Sequence, residues 1–151
     1  MNVILVVLVA LVPALVLTDV VPVQQCKSGG ALPSGVDIEG CTKVPCQLVR
    51  GQDAVAHVDF TALSEVSKLR PVVLATALGI TVPFELPADR QDACEWLEDS
   101  RCPLSEQEEA RYELRLPVEK SYPPIGVDVQ LQLVDQDGQV VSCFSVEAKV
   151  V

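Results

Sequence analysis

The sequence predicts an all-β protein, an antiparallel sandwich of about seven strands whose apolar residues face inward between two sheets. Three observations carry that expectation. Apolar and polar residues alternate over several runs, clusters of Gly, Pro, Asp and Ser separate those runs, and no run has the wider spacing of an amphipathic helix.

The turn-rich stretch Lys27 to Gly35 leads into a short alternating strand, Val36 to Glu39. Gly40 and Pro45 then bracket a small cysteine loop. A clear strand follows from Ala54 to Ala62, with Ala54, Ala56, Val58, Phe60 and Ala62 on one face and His57, Asp59 and Thr61 on the other. His57 is therefore expected to point outward as a solvated surface residue. Arg70 to Leu78 is aliphatic on both faces and suits a buried strand; Pro71, Gly79 and the valines favour strand over helix. Ile80 to Pro87 follows it. The polar, acidic stretch Ala88 to Glu109 reads as a solvated face or loop, in which Trp96 and Leu97 either cover the core edge or touch a partner.

Tyr112, Leu114, Leu116 and Val118 alternate with Arg111, Glu113 and Arg115 as another strand. It runs into Leu116 to Ile125, a stretch that keeps Val118, Tyr122 and Ile125 where a plain connector is polar. Pro117, Pro123 and Pro124 stiffen it and deny it a ladder of backbone donors. Two readings stand side by side: an apolar lip at the mouth of a cavity, or a rigid loop closing the end of a core. Val127 to Leu133 alternates, Asp135-Gln136-Asp137-Gly138 forms a hairpin turn, and Val140 to Val151 completes the chain with Phe144, Val146, Ala148 and Val150 on one face.

The 151 residues, 49% of them hydrophobic, suit one domain. Met1 to Leu17 is nearly all aliphatic and reads as the core of a signal peptide, so residues 1–18 are expected to be a removed leader and 19–151 the domain. A signal anchor is the alternative, but the run is at the short limit for spanning a bilayer and no stop-transfer pattern follows. The expected localisation is secretion.

Six cysteines behind such a leader read as three disulfides. Proximity along the chain suggests Cys41 with Cys46 and Cys94 with Cys102, leaving Cys26 for Cys143. By chain entropy that longest bridge contributes about 5 kcal/mol, against about 2 for the shortest.

The formal net charge of −10 argues against nucleic acid and against strong attraction to anionic membranes. With one histidine, no CxxC pair and no GxSxG elbow, neither metal, cofactor nor catalytic residue is expected.

The inward faces are striped with Ala54, Ala56, Ala62, Ala75, Ala77 and Ala148, and aromatics make up only 4% of the chain. Sheets about 10 Å apart need more side-chain volume than that. An empty interior of roughly 500 Å³ costs on the order of 12 kcal/mol, which rivals the stability of a whole domain. Either the sheets close together or an apolar ligand completes the interior.

Five motifs in order, together with the cysteines, resemble the ML-domain lipid-recognition family. They are Val-Pro-Val-Gln-Gln-Cys at 21–26, Pro-Cys-Gln-Leu-Val-Arg-Gly-Gln at 45–52, Val-Pro-Phe-Glu-Leu-Pro at 82–87, Cys-Pro-Leu at 102–104, and Leu-Pro-Val-Glu-Lys-Ser-Tyr-Pro-Pro-Ile at 116–125. The likeness is greatest to its small secreted Niemann-Pick type C sterol-carrier branch and arthropod members. It covers Cys26 to Val151 and the few residues before.

The resemblance implies an immunoglobulin-like sandwich holding a lipid between its sheets, and the same three disulfides. It implies ligand contacts at Phe84, Val118, Tyr122 and Pro123. Apolar residues facing the gap, Val58, Phe60, Val73, Val127, Val129, Leu131 and Phe144, become candidate walls. Alanine at 54 and 56 and Leu131 stand where mammalian members carry bulkier residues. Asn2 is the only asparagine, so a mature chain has no glycosylation sequon to route it to lysosomes.

The implied function is a monomeric, non-enzymatic carrier of a sterol or other apolar lipid, with a membrane sterol acceptor protein as a further partner. The alternatives are a fatty-acid or semiochemical carrier and an innate-immune recognition protein for bacterial lipid. The last needs a cationic rim, for which Arg111, Arg115 and Lys120 are the clustered residues.

Overall fold

The computed structural model describes residues 12–13 and 20–151; the expected leader, 1–18, falls almost wholly outside them. Ten strands follow in order: β1 (Gln24–Gln25), β2 (Gly35–Ile38), β3 (Cys46–Leu48), β4 (Asp53–Thr61), β5 (Leu69–Ala77), β6 (Ile80–Phe84), β7 (Leu97–Glu98), β8 (Glu109–Pro117), β9 (Gly126–Asp135) and β10 (Val140–Val150). Seven of them have four residues or more, matching the about seven strands expected, and β1, β3 and β7 are short additions.

One sheet runs β1-β10-β9-β5-β6 with β3 also on β10, and the other runs β2-β4-β8-β7. Alternation explains the stacking: along β8, Ala110, Tyr112, Leu114 and Leu116 are buried while the residues between them are not. The β9–β10 hairpin forms where expected. The Asp135 carboxylate accepts the amides of Asp137 and Gln139, both at 2.9 Å, and Gly138 takes the positive φ (76°) that the turn needs.

The three disulfides join Cys26 to Cys143, Cys41 to Cys46 and Cys94 to Cys102. The first ties the chain just after β1 to β10.

Three expectations change. The loop bracketed by Gly40 and Pro45 forms, but directly after it β3 pairs in parallel with β10, Cys46 opposite Ala148, so the larger sheet is not purely antiparallel. Next, the stretch 70–78 is not buried on both faces. Pro71 and Val73 are buried, but Arg70 is exposed and Val72 and Leu74 are only partly covered, because successive side chains of β5 alternate between the interior and the outer face of the sheet. Leu78 leaves the strand altogether. It and Gly79 form the two-residue β5–β6 turn, both at positive φ (52° and 76°), and Leu78 is 88% exposed.

Finally, 88–109 is more than a polar loop. Short 3₁₀ turns at Ala88–Arg90 and Ala93–Trp96 bury Ala93, and Trp96 donates its indole N–H to the Asp89 carbonyl at 2.9 Å while its ring packs on the core. Leu104 is fully buried and exchanges backbone hydrogen bonds with Val66 at 2.8 and 2.9 Å.

Candidate functional site

The two sheets do not close along their whole length. Between them, at the end where β6 and the loop after β8 meet, lies a cavity of about 400 Å³. The β5 and β9 side contributes Val73, Ala75, Ala77, Val127 and Val129; the opposite side contributes Leu116, Pro117 and Val118. Pro83 and Phe84 from the end of β6, with Tyr122, Pro123 and Ile125, surround the mouth. Small residues on β5 leave the space, and the prolines keep both rims from pairing across it.

Among the residues lining this cavity, Tyr122 alone carries a polar side-chain atom. Burial, then the nearby Glu119 carboxylate, pushes its hydroxyl pKa above the ordinary 10.0, so it stays protonated and able to donate. Its ring meets Phe84 edge to face, with centroids 6.5 Å apart and planes at 83°, a favoured aromatic geometry. That contact joins β6 to the 118–125 loop.

The loop is anchored from behind. Gly51 donates to the Val118 carbonyl at 2.6 Å and Val118 to the Gln52 carbonyl at 3.1 Å. Arg50 reaches the carbonyls of Tyr122 (3.4 Å) and Val151 (3.3 Å). What such a lining offers chemically is the exclusion of apolar surface from water.

Of the residues expected from sequence, Phe84, Val118, Tyr122, Pro123, Val73, Val127 and Val129 border this cavity. Leu131 and Phe144 border a smaller space of about 40 Å³ deeper in the sandwich. Val58 and Phe60 border neither. They are packed in the solid core, 1% and 2% exposed, because large side chains fill the far end of the sandwich.

Leu48, Val82 and Val150 also line the cavity, and sequence reasoning missed them. Leu48 arrives through the parallel β3–β10 pairing, for which the three residues Cys46-Gln47-Leu48 are too short a run to give a signal. Val82 and Val150 had one: each alternates in phase with a strand already recognised.

His57 corrects a further expectation. It does point away from the core, but its side chain is only 15% exposed and both ring nitrogens sit 3.1 Å from carboxylates, Nδ1 from Glu98 and Nε2 from Glu39. Arg111 extends the cluster to Glu98 (2.9 Å), Asp59 (2.9 Å) and Asp37 (3.5 Å). Burial opposes the histidine's charge, yet the hydrogen bonds to Glu39 and Glu98 and the attraction of Glu98 prevail over it and over Arg111, raising the pKa above 6.5. None of these residues lines the cavity. Among the described residues no group of three or more His, Cys, Asp or Glu side chains is placed to hold a metal ion, and no helix is long and apolar enough to cross a membrane.

The fold has solved counterparts. A Niemann-Pick type C2 protein from the Japanese carpenter ant superposes with a TM-score of 0.74 at 21% identity, over 86% of this chain and 99% of that one. Chicken MD-1, in a complex with lipid IVa, superposes with a TM-score of 0.53 at 14% identity, over 82% and 83%. In sequence, the chain is 38% identical to NPC intracellular cholesterol transporter 2 homolog a of Drosophila melanogaster, over 84% of this chain and 85% of that protein. It is 31% identical to NPC intracellular cholesterol transporter 2 of Bos taurus, over 89% and 87%. A family model described as ML domain matches residues 20–150, and with these relatives it establishes that the chain belongs to the ML-domain family.

Proposed function

We propose that the protein is a secreted, non-enzymatic lipid carrier that takes a sterol-like molecule into the cavity between its sheets. The observation that supports this most is the cavity itself: an apolar space of about 400 Å³ with one hydroxyl at its mouth. Ligand pockets for small organic molecules span roughly 300–1,000 Å³. Removing about 400 Å² of lipid surface from water supplies roughly 10 kcal/mol before ordering costs, enough for micromolar binding or better. A sterol's flat apolar body suits the walls, and its hydroxyl suits Tyr122. The two relatives named as cholesterol transporters support the same ligand class.

In this reading Phe84 and Tyr122 gate access, Val118 and Pro123 form the lip, and Val73, Val127 and Val129 are the walls. The aliphatic leader directs the chain to secretion, as a monomer, and the disulfides suit that oxidising route. Leu78, Ile80 and Val82, all exposed on the β5–β6 hairpin beside the mouth, are the surface offered to a membrane or a membrane sterol acceptor.

A second reading, recognition of bacterial lipid, draws on the fold shared with MD-1. The ion pairs weigh against it: Arg111 is held by Asp59 and Glu98, and Arg115 by Glu113 at 2.7 Å, so two of the three clustered cations are already engaged.

The test is to purify the protein from the medium of secreting cells, extract it and identify bound lipid by mass spectrometry, followed by titration with sterol and fatty acid. Co-purified sterol and saturable binding are expected. No saturable binding of either class overturns the reading.

A further inference from the structure

We infer that Glu119 makes the mouth of the cavity a charge filter, which accepts a lipid whose polar group is a neutral alcohol and disfavours the same lipid carrying a carboxylate or sulfate. The inference rests on the carrier reading above and adds to it a residue that determines which class of polar group the site takes.

Nothing in the lining can neutralise an anion. None of the side chains bordering the cavity is charged, and the Tyr122 hydroxyl is the one polar side-chain group among them. An alcohol exchanges a hydrogen bond with water for one with that hydroxyl and loses little. A carboxylate gives up several bonds with water and recovers one, and an anion without a counter-charge is far costlier to desolvate than a neutral group.

The charge nearest the hydroxyl is also the wrong one for an anion. Tyr122 donates its backbone N–H to the Glu119 carbonyl at 3.2 Å, a tight turn that brings the two Cα atoms within about 7 Å of each other. Between them, Ser121 Oγ donates to the Glu119 carboxylate at 3.4 Å and restrains it at the turn. No ion pair among the described residues engages that carboxylate. On the opposite rim Phe84 is followed by a second exposed acid, Glu85.

Two cations lie close by, and both are turned to other tasks. Arg50 donates to the carbonyls of Tyr122 and Val151, and Lys120 lies along Gly51, where an added Cβ would meet its Cε at 3.1 Å. Neither lines the cavity. The phenol registers the balance: after burial, the charge that acts on it is that of Glu119, which raises its pKa, and no cation lowers it. An anionic group placed beside the phenol meets the same field, whereas a neutral alcohol is nearly indifferent to it.

The experiment uses the full mature protein and two matched pairs, octadecanol with octadecanoic acid and cholesterol with cholesterol sulfate, titrated at about pH 8, where both anions are ionised. The readout is the ratio of alcohol to anion affinity within a pair, in which any change common to both members cancels. Either pair supplies it. At low salt the unaltered protein should favour the alcohol about tenfold. Glu119→Gln should reduce that ratio about threefold and Glu119→Lys about tenfold, the scale of interactions between exposed charges. Without any substitution, the ratio should fall towards that of Glu119→Gln in about 1 M salt, where the Debye length is about 3 Å. Thermal melts confirm that the variants are folded, and the salt series tests the filter independently of them. Equal affinity for alcohol and anion, or a ratio that neither the substitutions nor salt moves, overturns the filter and leaves the carrier intact. Binding of neither pair by the unaltered protein overturns the carrier reading and the filter together.

Discussion

The two ends of the sandwich are built from the same alternating pattern and come out as opposites. At the closed end Phe60, Leu69, Leu104, Tyr112 and Leu133 are almost completely buried, and the Val66–Leu104 bridge ties the segment between β4 and β5 to the one before β8. At the open end Ala75 and Ala77 face Leu116 and Val118 across a space that no side chain fills. Large side chains interdigitate and hold the sheets at packing distance; small ones beside proline-stiffened rims do not. Stability belongs to the first end and capacity to the second, so a substitution should show which end it touches by the property it changes.

The largest expected effect is at the closed end. Phe60→Ala should lower stability by about 3–5 kcal/mol in denaturant titration, while the fraction that stays folded binds lipid as before. A loss of binding greater than the loss of folded protein would place Phe60 at the ligand after all.

Val118→Glu, at the open end, should add a loss of binding to a loss of stability. Val118 is only 4% exposed, so an unpaired carboxylate there should lower the melting temperature and also weaken lipid binding by the folded fraction about a hundredfold. Tyr122→Ala should cost less, about tenfold in affinity, through the lost edge-to-face contact with Phe84 and the lost hydroxyl. Unchanged lipid uptake in both variants removes the lip from the site.

The smallest effect lies on the outer face, away from either end. His57 has a raised pKa in the folded state, so its ion pairs contribute in full below about 6.5, its unfolded value, and that contribution disappears as pH rises through the folded pKa. The groups acting on the ring are Glu39, Glu98 and Arg111, with Asp37 and Glu113 opposite it on the flanking strands. The melting-temperature difference between the unaltered protein and His57→Gln should be greatest near about pH 5 and shrink towards about pH 8. A difference that grows with pH contradicts the double-carboxylate clamp.

Much of this was legible before any coordinates. Val118, Tyr122 and Pro123 stood out because apolar residues and prolines are out of place in an ordinary connector, and the alanine stripe pointed to missing volume. Phe60 shows the limit of that reasoning. It shares a strand face with Ala54 and Ala56, yet the space beside the alanines is open and the space beside Phe60 is filled from distant strands. Leu48 shows another, because β3 reaches its place by pairing with residues about a hundred positions later, Cys46 with Ala148. His57 shows a third: its outward direction follows from alternation, but its two carboxylates come from beyond β2 and from β7, segments with no sequence relation to it.

By itself, then, the sequence determined which side of the alternating strands is apolar, where the β9–β10 turn falls and that the cysteines are paired, because these follow from side-chain period, backbone freedom and local proximity. The tertiary structure alone decided where the interior is solid and where it is hollow. Filling a gap is a joint property of side chains brought from opposite sheets, and no single strand contains the distance between them.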